Sequence, residues 1–97
     1  MISSYLLSMK NALSEKLKSI VLVRAVTDMS LKSAKLLVET NDFRIGGRSV
    51  IYGEKLKRIR KAVRFLDDTD VIYGLEISID GLKLVEERRN VPNTIDL

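Results

Sequence analysis

The densest group of chemically competent side chains is a run of cations between residues 44 and 66. This run carries eight basic residues and a single acid, Glu54. The basic residues are Arg44, Arg48, Lys55, Lys57, Arg58, Arg60, Lys61 and Arg64. Guanidinium and ammonium groups attract phosphates and carboxylates, so the run predicts an anionic partner. The plain alternative is a solvated helix face that pairs with residues 67–97, which hold eight acids and three bases.

Most catalytic and metal chemistry is excluded by composition. The chain has no Cys and no His, so it cannot form a disulfide, a Ser–His or Cys–His nucleophile, or an imidazole or thiolate metal site. Asp67, Asp68 and Asp70 lack the alternating ligands, the Gly and the closing Glu of a calcium loop. We therefore predict a non-enzymatic binding module with no catalytic residue, no metal and no cofactor.

The cations must be positioned by an amphipathic helix over residues 54–66. Apolar residues recur there at helical spacing, at Leu56, Ile59, Ala62, Val63 and Leu66. The pattern predicts that Lys55 and the other basic residues face solvent. A nucleic acid would then lie on a basic strand-helix surface over residues 44–64. Its predicted contacts are Arg44, Arg48, Lys57, Arg58, Lys61 and Arg64.

The remaining pattern predicts an α+β fold. Helices are expected over residues 15–28 and 31–40, with Ser30 as the N-cap of the second. A strand is expected from Phe43, with a turn or bulge at Gly46-Gly47, and a hairpin closes at Asp80-Gly81. Residues 3–9 fit either a short edge strand or the start of a helix. The expected fold is a two-layer sandwich, with helices on one face of a small, mainly antiparallel sheet and the core order α-α-β-α-β before the hairpin.

Length and hydropathy bound the organisation. The 97 residues suffice for one core, so we expect a single domain over residues 1–89 and a flexible tail over residues 90–97. No apolar run approaches the roughly 20 residues of a membrane span, and no secretory leader is evident. The predicted location is the cytoplasm, with no membrane partner.

Residues 20–39 resemble the C-terminal domain of the bacterial ribosomal stalk protein. Residues 31–39, Leu-Lys-Ser-Ala-Lys-Leu-Leu-Val-Glu, are similar to that family's Leu-Lys-Glu-Ala-Lys-Asp-Leu-Val-Glu helix. Residues 20–26, Ile-Val-Leu-Val-Arg-Ala-Val, are similar to its preceding helix. The adaptor ClpS is similar in architecture. Thr27 stands where the family has a basic residue. The family's Gly-Leu-Gly turn is replaced here by the shorter Asp28-Met29-Ser30.

The stalk resemblance implies a function for the two helices. In that family the first helix and the following turn bind the G domains of translational GTPases. The resemblance therefore implies a protein-binding helix pair, and a translational GTPase or ribosome-associated factor as the partner. The implied contact residues are Ile20, Val23, Arg24, Lys32 and Lys35.

A second resemblance concerns residues 33–50. The helix followed by Phe-Arg-Ile-Gly-Gly-Arg-Ser-Val at residues 43–50 looks like the alpha-L RNA-binding motif of ribosomal and RNA-modifying proteins. It implies an RNA face that contains Lys32, Lys35, Arg44 and Arg48. A third alternative is a homo-oligomer in which the hairpin of residues 75–86 pairs across a sheet edge.

Overall fold

The computed structural model describes residues 2–89, in which four strands and three helices follow one another along the chain. The elements are β1 (Ile2–Lys10), α1 (Lys16–Thr27), α2 (Leu31–Val38), β2 (Phe43–Val50), α3 (Gly53–Phe65), β3 (Ile72–Ile79) and β4 (Leu82–Arg89). A 3₁₀ turn at Ala12–Glu15 precedes α1. The predicted tail over residues 90–97 lies outside the described residues.

Strand β1 resolves the segment that the sequence left open. Its side chains alternate, with Ser3, Leu7 and Met9 buried while Ile2 and Lys10 are exposed. That two-residue period suits a strand with one covered face.

The sheet is antiparallel throughout and has the order β2-β1-β3-β4. Strand β1 is paired on both sides, with Ile2 opposite Val50 of β2 and Ser4 opposite Ser78 of β3. Strands β2 and β4 are the edges.

All three helices lie on one face of this sheet, which confirms the predicted two-layer α+β sandwich. Helix α1 packs against α3 and also against α2, so it is the central helix of the layer. The core between the layers includes Leu7, Met9, Leu22, Val23, Val38, Ile59, Leu66, Tyr73, Leu75 and Ile77. Within residues 2–89, no helix is long and apolar enough to cross a membrane.

The break between α1 and α2 depends on two polar residues. Asp28 ends α1 in the left-handed region, at φ 59°, and its backbone N–H donates to the Arg24 carbonyl. Ser30 is the predicted N-cap of α2, and its Oγ accepts from the Ser33 N–H at 3.2 Å. The two caps satisfy backbone groups that a helix end leaves without partners.

The predicted irregularity at Gly46-Gly47 is wrong. Strand β2 pairs with β1 in one unbroken register through both glycines, and Gly47 lies opposite Tyr5. A Cβ on Gly47 would lie 2.7 Å from the Tyr5 hydroxyl oxygen, so the absence of a side chain leaves space for that ring. The bulge of this sheet lies between β3 and β4, at Ile77 and Ser78.

Two large apolar side chains, Leu31 and Tyr52, are exposed. Leu31 starts α2, ahead of Ala34 and Val38, through which that helix reaches the core. Tyr52 lies between the end of β2 and the start of α3, outside both burial patterns. The hairpin prediction is confirmed, because Asp80 and Gly81 both have positive φ, at 52° and 79°.

Candidate docking surface on the helix layer

Helix α3 presents five exposed cations. They are Lys57, Arg58, Arg60, Lys61 and Arg64. The helix turns them outward because its apolar positions, among them Ile59 and Val63, are buried against the core. Lys57 Nζ lies 3.9 Å from Glu54 Oε1, and both side chains are well exposed, so this pair adds little stability.

The charge of α3 is poorly compensated. Among the described residues, Arg60, Lys61 and Arg64 have no hydrogen-bond or ion-pair partner. Glu76 and Glu86 belong to the acidic segment 67–97 that could have paired with this helix, but they instead accept from Lys83 at 3.2 and 3.1 Å. They do so on the sheet face turned away from the helices, because the neighbouring Leu75 and Ile77 are buried beneath the helix layer.

An apolar strip adjoins the cations where α1 meets α3. Lys18 Nζ lies 5.3 Å from the centroid of the Phe65 ring, a cation–π contact between the two helices. Leu17 and Val21, one turn apart on α1, are exposed, as is Phe65. We term this group the helix-layer surface. It comprises Leu17, Lys18, Val21, Arg58, Lys61 and Phe65.

Ile20 and Val23 are implied contact residues and should therefore be exposed, but this prediction is wrong. Their side chains are only 6% and 0% exposed. The central position of α1 explains this, since α2, α3 and the sheet cover three of its sides. The outward stripe is Leu17, Val21 and Arg24, at i, i+4 and i+7. That spacing is visible in the sequence, although the stripe around Ile20 fits helical periodicity equally well.

The other three implied protein contacts are exposed. Arg24 Nε donates to the Met29 carbonyl oxygen at 3.3 Å, so this side chain also closes the turn between α1 and α2. Lys32 and Lys35 lie on the solvent side of α2. The three cations of the implied helix-pair site are thus exposed, and its two apolar residues are buried.

The predicted nucleic-acid surface is divided by the sheet. Ile45 packs against the core and Ser49 contacts a side chain of α3. Strand alternation therefore turns Arg44 and Arg48 to the opposite face. These two residues are not brought together with the cations of α3, nor with Lys32 and Lys35.

Lys55 was predicted to face solvent and is instead 1% exposed. Its ammonium donates to Asp28 Oδ2 and to Ser49 Oγ, while Ser49 Oγ donates to Asp28 at 3.2 Å. The hydrogen bond from Lys55 is the main reason that the pKa of Asp28 lies below its usual 3.8, although partial desolvation opposes it. Lys55 shares a helical stripe with Ile59 and Ala62, a signal that indicates its burial. It joins α1 to α3 and is not available to a ligand.

The open face of the sheet carries a shallow groove of about 780 Å³. Leu6, Ser8, Arg44 and Glu86 are among its lining residues. Phe43 and Tyr73 are also among its lining residues, but both side chains pack toward the core. Bases of a single strand would therefore find few exposed rings to stack on there. Within residues 2–89, no cluster of three or more acidic side chains is arranged to hold a metal ion.

Comparison with protein-family models, with curated proteins and with solved structures finds no match.

Proposed function

We propose that the chain is a small non-enzymatic binding module that docks on an acidic segment of a protein partner through its helix layer. The observation that carries this proposal is the helix-layer surface, where the exposed side chains of Leu17, Val21 and Phe65 lie beside Lys18, Arg58 and Lys61. Arg24, Lys32 and Lys35 extend its positive potential across α1 and α2.

The mixed chemistry of this surface favours a protein over a nucleic acid. Burial of Leu17, Val21 and Phe65 against a partner lowers the free energy of the complex. A phosphate backbone has no apolar surface against which these side chains could be buried. Lys18 and Lys61 flank them and can pair with carboxylates at the rim. An amphipathic helix with a leucine stripe and acidic flanks meets both requirements.

The resemblance to the ribosomal stalk domain adds a candidate for the partner. It supports a translational GTPase or a ribosome-associated factor, in the cytoplasm. The burial of Ile20 and Val23 means that the apolar part of such a contact would be made by Leu17 and Val21.

A titration with two purified probes tests the proposal. One probe is a synthetic 15-residue helix with a leucine stripe and glutamates on its flanks, and the other is the G domain of a bacterial translational GTPase. Exchanging Lys18 and Lys61 for Glu should weaken binding at least about tenfold, because like charges then face the partner. Lys10→Glu makes the same change on the open sheet face and should leave binding within about twofold.

The two probes separate the two parts of the proposal. If the protein binds the acidic helix but not the G domain, the proposal of protein docking stands and the GTPase is excluded as the partner. Equal affinity of wild type and the Lys18/Lys61 variant for every probe contradicts docking at this surface.

A nucleic-acid partner is the second candidate, and the uncompensated charge of Arg60, Lys61 and Arg64 favours it. Each phosphate contact releases counterions, so affinity should fall steeply with salt. Replacing Arg60 and Arg64 with Gln should reduce the slope of log K against log salt by about one per lost contact. A fluorescence titration at two salt concentrations measures this. Absence of binding to single- and double-stranded DNA and RNA at low salt would remove this candidate.

A further inference from the structure

Strand β2 is an edge of the sheet whose outer backbone has no neighbouring strand. It pairs with β1 alone, so alternate N–H and C=O groups point outward. Natural sheets usually block such an edge with a bulge, a proline or dense charge, because it accepts a further strand.

The two edges of this sheet differ in that protection. Strand β4 has the bulge opposite Ile77 and Ser78. Strand β2 runs through eight residues with no bulge and no proline. Gly46 and Gly47 are exposed in its centre, so no side chain there stands in the way of an approaching backbone.

The charges of β2 select the occupant. Arg44 and Arg48 are exposed on the open face of the sheet, four residues apart, with Gly46 between them. A second copy that paired antiparallel about Gly46 would place Arg44 opposite Arg48, and like charges directly opposite each other destabilise a pair of strands. A strand with carboxylates at i and i+4 places an acid opposite each arginine.

We propose that β2 accepts an extended acidic segment of another protein as a fifth strand. Backbone hydrogen bonds to the β2 edge hold the segment, and Arg44 and Arg48 pair with its two carboxylates. Strand addition of this kind takes affinity from the main chain and specificity from alternate side chains. The site is separate from the helix-layer surface, because Arg44 and Arg48 lie on the other face of the sheet.

The probe is the blocked heptapeptide Thr-Glu-Val-Thr-Val-Glu-Thr, titrated into isotopically labelled full-length protein. Amide resonances of residues 43–50 should shift, while those of residues 54–65 should not. The double variant Arg44→Glu/Arg48→Glu should weaken binding at least about tenfold, since repulsion replaces two ion pairs. Lys16→Glu, which reverses one charge at the start of α1, should leave the affinity within about twofold. Melting temperatures of both variants confirm that they are folded.

Two further peptides separate strand addition from charge attraction. They are N-methylated on alternate residues, so that only one has its methyl groups directed at β2. That peptide should lose binding and the other should keep it, because only one set of amides donates to the edge.

Three results would overturn the proposal. The first is unchanged resonances of residues 43–50 at millimolar peptide, and the second is equal binding of a peptide with Lys in place of Glu. The third is a concentration-dependent shift of residues 43–50 without peptide, which would make a second copy of the chain the occupant.

Discussion

The buried ammonium of Lys55 meets the carboxylate of Asp28, which is more than half exposed. The contact joins the left-handed C-cap of α1 to the first turn of α3. One member of the pair is thus enclosed by the core while the other reaches water. The two therefore differ in what their removal leaves behind.

Asp28→Asn should destabilise the fold more than Lys55→Met. The first change leaves a buried ammonium without its counter-charge, and a buried charged group with a missing partner costs about 1–3 kcal/mol or more. The second leaves a carboxylate that water can solvate and fills the space with an apolar chain of similar length. Asn tolerates the left-handed backbone at this position. Urea denaturation of both variants measures the difference, and a larger loss for Lys55→Met would contradict the pairing.

Lowering the pH should remove the stability advantage of the wild type over Asp28→Asn. The folded-state pKa of Asp28 lies below 3.8, so folding favours the ionised carboxylate. Its stabilisation is complete above the unfolded-state pKa and is lost as pH falls through the lower folded-state pKa. The gap in unfolding free energy should be constant from pH 7 to about pH 5 and should narrow below pH 3.8. A gap that is unchanged at pH 2.5, or that closes near neutrality, would show that the carboxylate is not the cause.

Leu66→Ala should cost about 2–5 kcal/mol, because it opens a cavity beneath the C-terminal end of α3. Leu66 is fully buried. Leu17→Ala removes the same atoms from an exposed position, so its unfolding free energy should stay within about 0.5 kcal/mol of wild type. Leu37 is only partly buried and should lie between the two. Thermal and chemical denaturation of the three variants would contradict the described packing if their order were different.

Gly47→Ala should cost about 1–3 kcal/mol through overpacking, because the new Cβ meets the Tyr5 ring. Gly46→Ala is the matched control, since its Cβ would lie 3.4 Å from the Tyr5 carbonyl oxygen, at the margin of ordinary contact. Its cost should be below about 1 kcal/mol. Tyr5→Leu should recover part of the loss in the Gly47→Ala background. Absence of recovery would show that the cost comes from the backbone and not from the ring.

Most of the fold could be predicted from the periodicity of apolar residues. The helix around Ile59 and Val63, the N-cap at Ser30 and the turn at Asp80-Gly81 are local features, and each could be predicted from its own neighbours. The secondary structure around Leu7 could not be predicted in this way. The strand there forms only by pairing with β2 and β3, which lie far along the chain.

The candidate site was less predictable because burial on a helix depends on how many neighbours it has. A helix over a sheet has one covered side, but α1 has three, so Ile20 and Val23 are buried. Lys55 lies at an apolar position of α3, where its buried ammonium is compensated by Asp28 at the end of α1 and by Ser49 of β2. The separation of Arg44 from the cations of α3 follows from strand alternation, but the sequence alone did not place β2 relative to α3.

The central place of β1 has a consequence for synthesis of the chain on the ribosome. Residues 2–10 emerge early, yet the strands that flank them in the sheet are β2 and β3, whose residues are translated much later. Until β2 has left the exit tunnel, β1 exposes both edges to other chains, and the edge that pairs with β3 stays open until β3 follows. A pause in translation before residue 72 should therefore prolong an aggregation-prone nascent state.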